Sequence, residues 1–184
     1  MTSTPGADDE QLMLALQSGD DLALNALMAH WQIPLRSFLY RYTLNEHDAA
    51  DLAQESFVRV YQHRARFDPA KKFSTWLFAI ALNLARSRAR WQRRHFTESL
   101  DTAPEPSAGG SPQSDAVATE QACAVRAAIA ELPADLREAV LLFEYEEKSH
   151  AEIGVIVGAS PKAVETRLYR ARQLLKKTLG RYLA

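Results

Sequence analysis

Apolar positions recur along this chain at intervals of three and four residues, the period of an amphipathic helix, and nowhere alternate as in a half-buried strand. Leu12, Met13 and Leu16 follow that spacing, and so do Leu22, Leu24, Leu27, Met28 and Trp31. Gly19-Asp20 interrupts the pattern, which predicts a short helix and a longer one with Asp20 as N-cap. Pro34 suits a first helical turn, so a further helix is expected to start there and carry Leu35, Phe38, Leu39 and Tyr42. Asn45 predicts the cap of a helix over 46–63 with Ala49, Leu52, Ala53, Phe57, Val60 and Tyr61 in one stripe. Phe67-Asp68-Pro69 starts a loop, and Ser74 is expected to cap a helix over 75–94 with a stripe from Trp76 and Leu77 to Ala85.

Residues 97–118 break the periodicity with Pro104, Pro106, Gly109-Gly110 and Pro112, the composition of a flexible linker. The helical period resumes at Val117 and runs through Val125, Ile129 and Leu132 to Pro133. A second helix is expected to carry Leu136, Val140, Leu141, Phe143 and Tyr145. Ser149 and Glu152 have the spacing of a capping box before Ile153, Ile156 and Val157. Gly158 stops that helix, and Ser160-Pro161 starts one over 161–179 with Val164, Leu168, Ala171, Leu174 and Leu175 inward. The expectation is an all-α chain of two small helical domains joined by a flexible linker, with boundaries at 1–96, 97–118 and 119–184 and a helix-turn-helix in the second domain. A tail over residues 1–7 precedes the first helix.

Composition narrows the partners. The 22 Lys and Arg nearly balance the 23 Asp and Glu, for a net charge of −1. The balance hides segregation: 8–55 and 131–152 are mainly acidic, whereas 64–94 and 162–181 are mainly basic. Two basic blocks, each ending a helical module, point to a polyanion. The single cysteine, Cys123, excludes a disulfide within the chain and a cysteine metal cluster, and is read as a small core filler. No signal-peptide pattern and no apolar run of membrane-spanning length is present, so a cytoplasmic protein without membrane insertion, metal or cofactor is expected.

Three constellations carry the candidate chemistry. In a helix-turn-helix the second helix enters the DNA major groove with its N-terminal residues at base edges, which here are Ser160, Lys162, Ala163, Glu165, Thr166, Arg167 and Arg170. Residues 63–94 interleave cations with rings: Arg66, Phe67, Lys71, Lys72, Phe73 and Trp76, followed by Arg86, Arg90, Arg93 and Arg94. That mixture suits single-stranded DNA, because rings stack on unpaired bases while cations follow the backbone. Trp76 and Phe67 also suit a simpler role in the core. Asp48, Asp51 and Glu55, with Gln54 beside them, lie on one helical face and fit a docking surface for a basic partner helix. No nucleophile–base pair, phosphate loop or metal-ligand set points to an enzyme.

These residues also carry a resemblance. Asp48-Ala-Ala-Asp51-Leu-Ala-Gln54-Glu55-Ser-Phe57 resembles the core-polymerase-binding segment of sigma factors of the extracytoplasmic-function class, group 4 of the sigma-70 family. Phe73-Ser-Thr-Trp76 through Asn83-Leu-Ala is similar to the family segment that melts and reads the −10 element. Leu132-Pro133, Ala151-Glu152-Ile153 and Ala163-Val164 through Arg170-Ala-Arg172 resemble its −35-reading domain. The resemblance implies an alternative sigma factor whose partners are core RNA polymerase, promoter DNA and an anti-sigma factor. It assigns Asn83 to −10 DNA. Ser87 stands where the family often has Asp, Glu165 where it is often basic, and Gly154 where Ala is common at lower cost in helix propensity. A helix-turn-helix regulator acting without polymerase is the alternative, but it leaves 46–94 unexplained.

Overall fold

The computed structural model describes residues 9–96 and 116–180, and every regular element in them is helical. The chain forms two compact units, Met1–Thr102 and Ala103–Ala184. The expected tail 1–7 and residues 97–115 of the expected linker lie outside the described residues, and the second unit's first helix begins at Ala116.

The first unit contains α1 (Asp9–Gln17), α2 (Leu22–Thr43), α3 (Glu46–His63), a 3-10 turn (Arg64–Arg66) and α4 (Phe73–Phe96). The break between α1 and α2 falls where Gly19 takes a left-handed φ of 101°. The residue flanking α2 is Asp21, which makes no side-chain cap hydrogen bond, not the expected Asp20; Asp20 still accepts the N–H of Leu22, the first helical residue, at 3.0 Å. Asn45 caps α3 by accepting from the Asp48 N–H at 3.0 Å.

Two helix starts differ from expectation. Pro34 opens no new helix; it lies inside α2. An interior proline forfeits a hydrogen bond and costs about 3 kcal/mol or more. Leu27, Trp31, Leu35, Phe38, Leu39 and Tyr42 nevertheless bury along one continuous stripe, and each large apolar side chain returns roughly 1.5–3 kcal/mol. Ser74 likewise lies within α4 instead of before it. The helix starts two residues earlier than expected because its first N–H, from Phe73, is accepted by Glu10 of α1 at 2.9 Å. The core face of α4 also takes in Phe78 and Leu82, both fully buried, while Ile80 and Leu84 are half-buried.

α2, α3 and α4 pack against one another, with α1 against α2, α4 and the 3-10 turn. Phe38, Phe73, Phe78 and Trp31 meet edge-on in the centre at 5.1–6.4 Å between rings, the arrangement that aromatic quadrupoles favour.

The second unit contains α5 (Ala116–Ala130), α6 (Ala134–Val140) continued by a π turn (Leu141–Tyr145), α7 (His150–Val157) and α8 (Pro161–Leu179). The expected second helix thus ends as a wide turn. Leu141 and Leu142 are both buried, while Phe143 is half-buried and Tyr145 exposed. The capping box is present: Ser149 Oγ accepts the Glu152 N–H, and Glu152 accepts the Ser149 N–H at 2.9 Å. Gly158 closes α7 with a φ of 74°, and Ser160 caps α8 by accepting from the Ala163 N–H. Val164, Leu168 and Ala171 bury α8 against α6 and α7. Leu174, expected inward, is exposed, and Leu175 is half-buried, so the buried stripe of α8 ends at Ala171.

Candidate polymerase and nucleic-acid interfaces

The acidic face of α3 divides into two roles. Asp48 points towards α4, where Arg88 Nη1 lies 3.3 Å away and Gln92 donates at 2.9 Å. Its side chain is only 15% exposed. Asp51 and Gln54 project to solvent, and Glu55 pairs with Arg59 one turn on at 2.7 Å. Asp51, Gln54, Glu55 and Val58 form one wall of an open cleft of about 750 Å³. Ser87, Arg88, Trp91 and Arg94 of α4 form the other. Trp91 is 50% exposed and stacks on His95 with ring centroids 4.3 Å apart. Trp91 falls outside the three constellations that the sequence marks. Its spacing from Arg88 and Arg94 placed it beside the charged stripe, and a large ring at the end of a polar helix was the available signal.

The basic constellation also divides. Arg66, at the end of the 3-10 turn, and Lys71 and Lys72, on the loop from it to α4, are exposed. Phe67 and Phe73, in contrast, are 4% and 0% exposed. They form the floor of the loop, with Trp76 half-buried against Phe67 at 5.2 Å. Along α4, Asn83, Ser87, Arg90 and Arg94 recur at spacings of three and four and are exposed, opposite the Leu77–Ala85 core face. Arg90 donates to Ser87 Oγ at 3.1 Å, so the serine orients the guanidinium. Arg86 is half-buried beside this line, and Arg93 is exposed next to it. Ser87, Arg90, Arg93 and Arg94 surround a second open cleft of about 570 Å³.

In the second unit, Lys162, Glu165, Thr166 and Arg170 are exposed on α8 with Ser160 at its cap, and Ala163 is half-buried. Tyr169 shares their face and is 64% exposed; spacings of three from 166, four from 165 and seven from 162 are the signal for it. Arg167 turns inward, 3.6 Å from Asp135 of α6. Thr166 Oγ1 donates to the Lys162 carbonyl at 3.0 Å. Lys162 Nζ lies 2.8 Å from Glu165. That hydrogen bond and the lysine charge hold the Glu165 carboxyl below its ordinary range, with His150 adding to the effect. A depressed carboxylate loses its pairing only as pH falls through its lowered value, so Glu165 is an anionic acceptor throughout the neutral range. Such an acceptor suits a cytosine amino group.

No group of three or more His, Cys, Asp or Glu among the described residues is arranged to hold a metal. None of the described helices is long and apolar enough to cross a membrane. Cys123, expected as a core filler, is instead exposed, with Arg126 Nη2 3.0 Å from its sulfur.

Two family regions match in this order: sigma-70 region 2 over residues 27–95 and sigma-70 region 4 over residues 124–175. The chain is 33% identical to the extracytoplasmic-function RNA polymerase sigma factor SigW of Bacillus subtilis, over 89% of this chain and 92% of that one. It is 30% identical to the RNA polymerase sigma-H factor of Pseudomonas aeruginosa, over 93% of each. Among solved structures it is similar to CnrH in complex with the cytosolic domain of CnrY, with a TM-score of 0.73, 27% identity and coverage of 94% of this chain and 97% of that one. The sigma factor RpoE of Bartonella quintana, solved with the anti-sigma factor NepR, shares the fold at a TM-score of 0.65 and 23% identity, over 94% of this chain and 97% of that one. The acidic α3 face, the basic α4 line and the helix-turn-helix thus lie within matched regions, and the chain belongs to the sigma-70 family as an alternative RNA polymerase sigma factor of the extracytoplasmic-function class.

Proposed function

We propose a division of labour among the faces just described. Asp51, Gln54 and Glu55 dock on core RNA polymerase, with Asp48 fixing α3 against α4. The exposed loop cations Arg66, Lys71 and Lys72, with Trp76, Asn83, Arg86, Arg90, Arg93 and Arg94, hold the unpaired −10 strand. Phe67 and Phe73 shape that surface from beneath. Ser160, Lys162, Ala163, Glu165, Thr166 and Arg170 read the −35 element, with Arg167 bracing α8 against α6. Residues 1–96 and 119–184 act as the two functional domains, with 97–118 as their linker. The observation that carries this reading is one small helical unit with two chemically opposite solvent faces, acidic on α3 and basic on α4. A DNA-binding regulator alone uses only the second, so the regulator reading is not favoured.

Sigma factors are DNA-binding transcription initiation factors. This chain works by binding in the cytoplasm, without catalysis of its own, and the polymerase carries out the chemistry. An anti-sigma factor with a cytosolic segment controls it by covering these faces. The resemblance supports this, as does the similar CnrH, which was solved with the cytosolic domain of CnrY.

The test is reconstitution with core polymerase and transcription from a promoter library. Asp51→Arg with Glu55→Arg is expected to lower core affinity by at least about a hundredfold, since charge reversal replaces attraction by repulsion at the dock, while the circular dichroism spectrum stays unchanged. Unchanged core affinity refutes the docking role. Absence of promoter-specific transcripts from the wild-type holoenzyme refutes the whole assignment.

A further inference from the structure

The segment between α3 and α4 carries exposed Arg66, Lys71 and Lys72. Within it the Phe67 N–H donates to the Arg64 carbonyl at 3.1 Å, the Lys71 N–H to the Asp68 carbonyl at 2.9 Å and the Ala70 N–H to the Asp68 side chain at 3.0 Å, and Lys71 Nζ lies 3.8 Å from that side chain. A loop that has to be ordered on its ligand binds more weakly than one held in place beforehand. Three further bonds reach it from α1. Gln17 Nε2 donates to the carbonyls of Arg64 at 2.8 Å and Phe67 at 2.9 Å. Glu10 Oε1 accepts the Phe73 N–H at 2.9 Å, at the other end of the loop.

α1 is itself anchored. Met13 and Leu16 are fully buried. Asp9, also buried, accepts from Trp31 Nε1 at 2.8 Å and lies 3.1 Å from His30 Nδ1, both on α2. The first helix therefore grips α2 through Asp9 and both ends of the loop through Glu10 and Gln17. These are the polar residues that an acidic N-terminal helix otherwise presents to water.

We propose that α1 is the positioning device of the −10-reading segment, with Glu10 and Gln17 as positioning residues that pre-order residues 64–73 for single-stranded DNA. This inference rests on the DNA role assigned above to Arg66, Lys71 and Lys72. The chemistry makes a directional prediction from two isosteric changes. Gln17→Glu replaces a donor facing two carbonyl oxygens by an anion that both repel. Glu10→Gln keeps an acceptor oxygen for the Phe73 N–H.

The experiment uses the full chain as holoenzyme with core polymerase. The ligand is an oligonucleotide that wild-type holoenzyme selects from a random single-stranded DNA pool on the order of ten nucleotides long, within the usual footprint of such sites. Gln17→Glu is expected to weaken oligonucleotide affinity about tenfold, to broaden the sequences selected, and to speed amide exchange across 64–73. Glu10→Ala moves in the same direction by a few fold, and Glu10→Gln stays within about twofold of wild type. Core affinity stays unchanged in all three. Wild-type oligonucleotide affinity and selection in Gln17→Glu overturns the inference. A parallel loss of core affinity also overturns it, because that marks general destabilisation. If Gln17→Glu fails to fold, Gln17→Ala is read by the same criteria. Lys71→Ala with Lys72→Ala separates the two levels: unchanged affinity in that variant refutes the DNA role of the loop, whereas reduced affinity there with wild-type Gln17→Glu refutes only the role of α1.

Discussion

Gly154 lies where the helix-turn-helix closes on itself. The Ala159 N–H donates to its carbonyl at 2.8 Å, and a Cβ built on Gly154 would lie 2.6 Å from the Ala159 carbonyl oxygen. Helix propensity favours alanine here by about 1 kcal/mol. The overlap is with backbone, which cannot swing away, and overpacking of that kind costs about 1–3 kcal/mol. Packing wins, so Gly154→Ala is expected to destabilise by about 1 kcal/mol, read as a lower Tm for the second unit in a thermal melt of the full chain. Gly154→Val adds a branched side chain and is expected to cost roughly 3 kcal/mol. Val155→Ala, at the exposed neighbouring position, serves as the control and should leave Tm within error.

Between elements, the acidic stripe of α3 separates into a structural residue and docking residues. Asp48 and Asp51 look equivalent in sequence, three apart on one helix. One carboxylate is held by Arg88 and Gln92 of α4, and the other faces solvent. Asp48→Ala is expected to cost about 1 kcal/mol, since it removes the largely covered acceptor that Arg88 and Gln92 share. Asp51→Ala should change stability by less than about 0.5 kcal/mol, yet lower core affinity. Chemical denaturation and core titration on the same two variants check this pairing, and equal stability losses would refute the division. The periodicity identified both residues with their helix and its cap. It could not say which side chain meets α4, because that depends on how two helices cross.

For the whole molecule, the electrostatic consequence is collective. Release of counterions from DNA makes log affinity fall with log salt by about 0.9 per phosphate neutralised on duplex and about 0.7 on a single strand. Arg90 and Arg94 stand on the exposed line of α4. Replacing both by serine is expected to flatten the salt slope of holoenzyme–promoter binding by about 1.4–1.8, measured between low and physiological salt. A slope equal to wild type would remove them from the DNA surface. The net charge of −1 predicts none of this, because the acidic and basic groups occupy different faces.

The amino-acid sequence by itself determined what is local: helical period, the caps at Asn45, Ser149 and Ser160, the stop at Gly158, and the motifs that mark the family. Those features depend on residues within a turn or two of each other, so spacing suffices to read them. Tertiary structure decided what depends on distant partners. It carried α2 through Pro34 because one buried stripe outweighs a lost hydrogen bond. It started α4 at Phe73 because a glutamate 63 residues earlier meets that N–H. It also sank Phe67 and Phe73 into the core and left Trp91 and Tyr169 in solvent. Whether a ring is floor or contact depends on which helices close over it, and helical spacing alone does not carry that information.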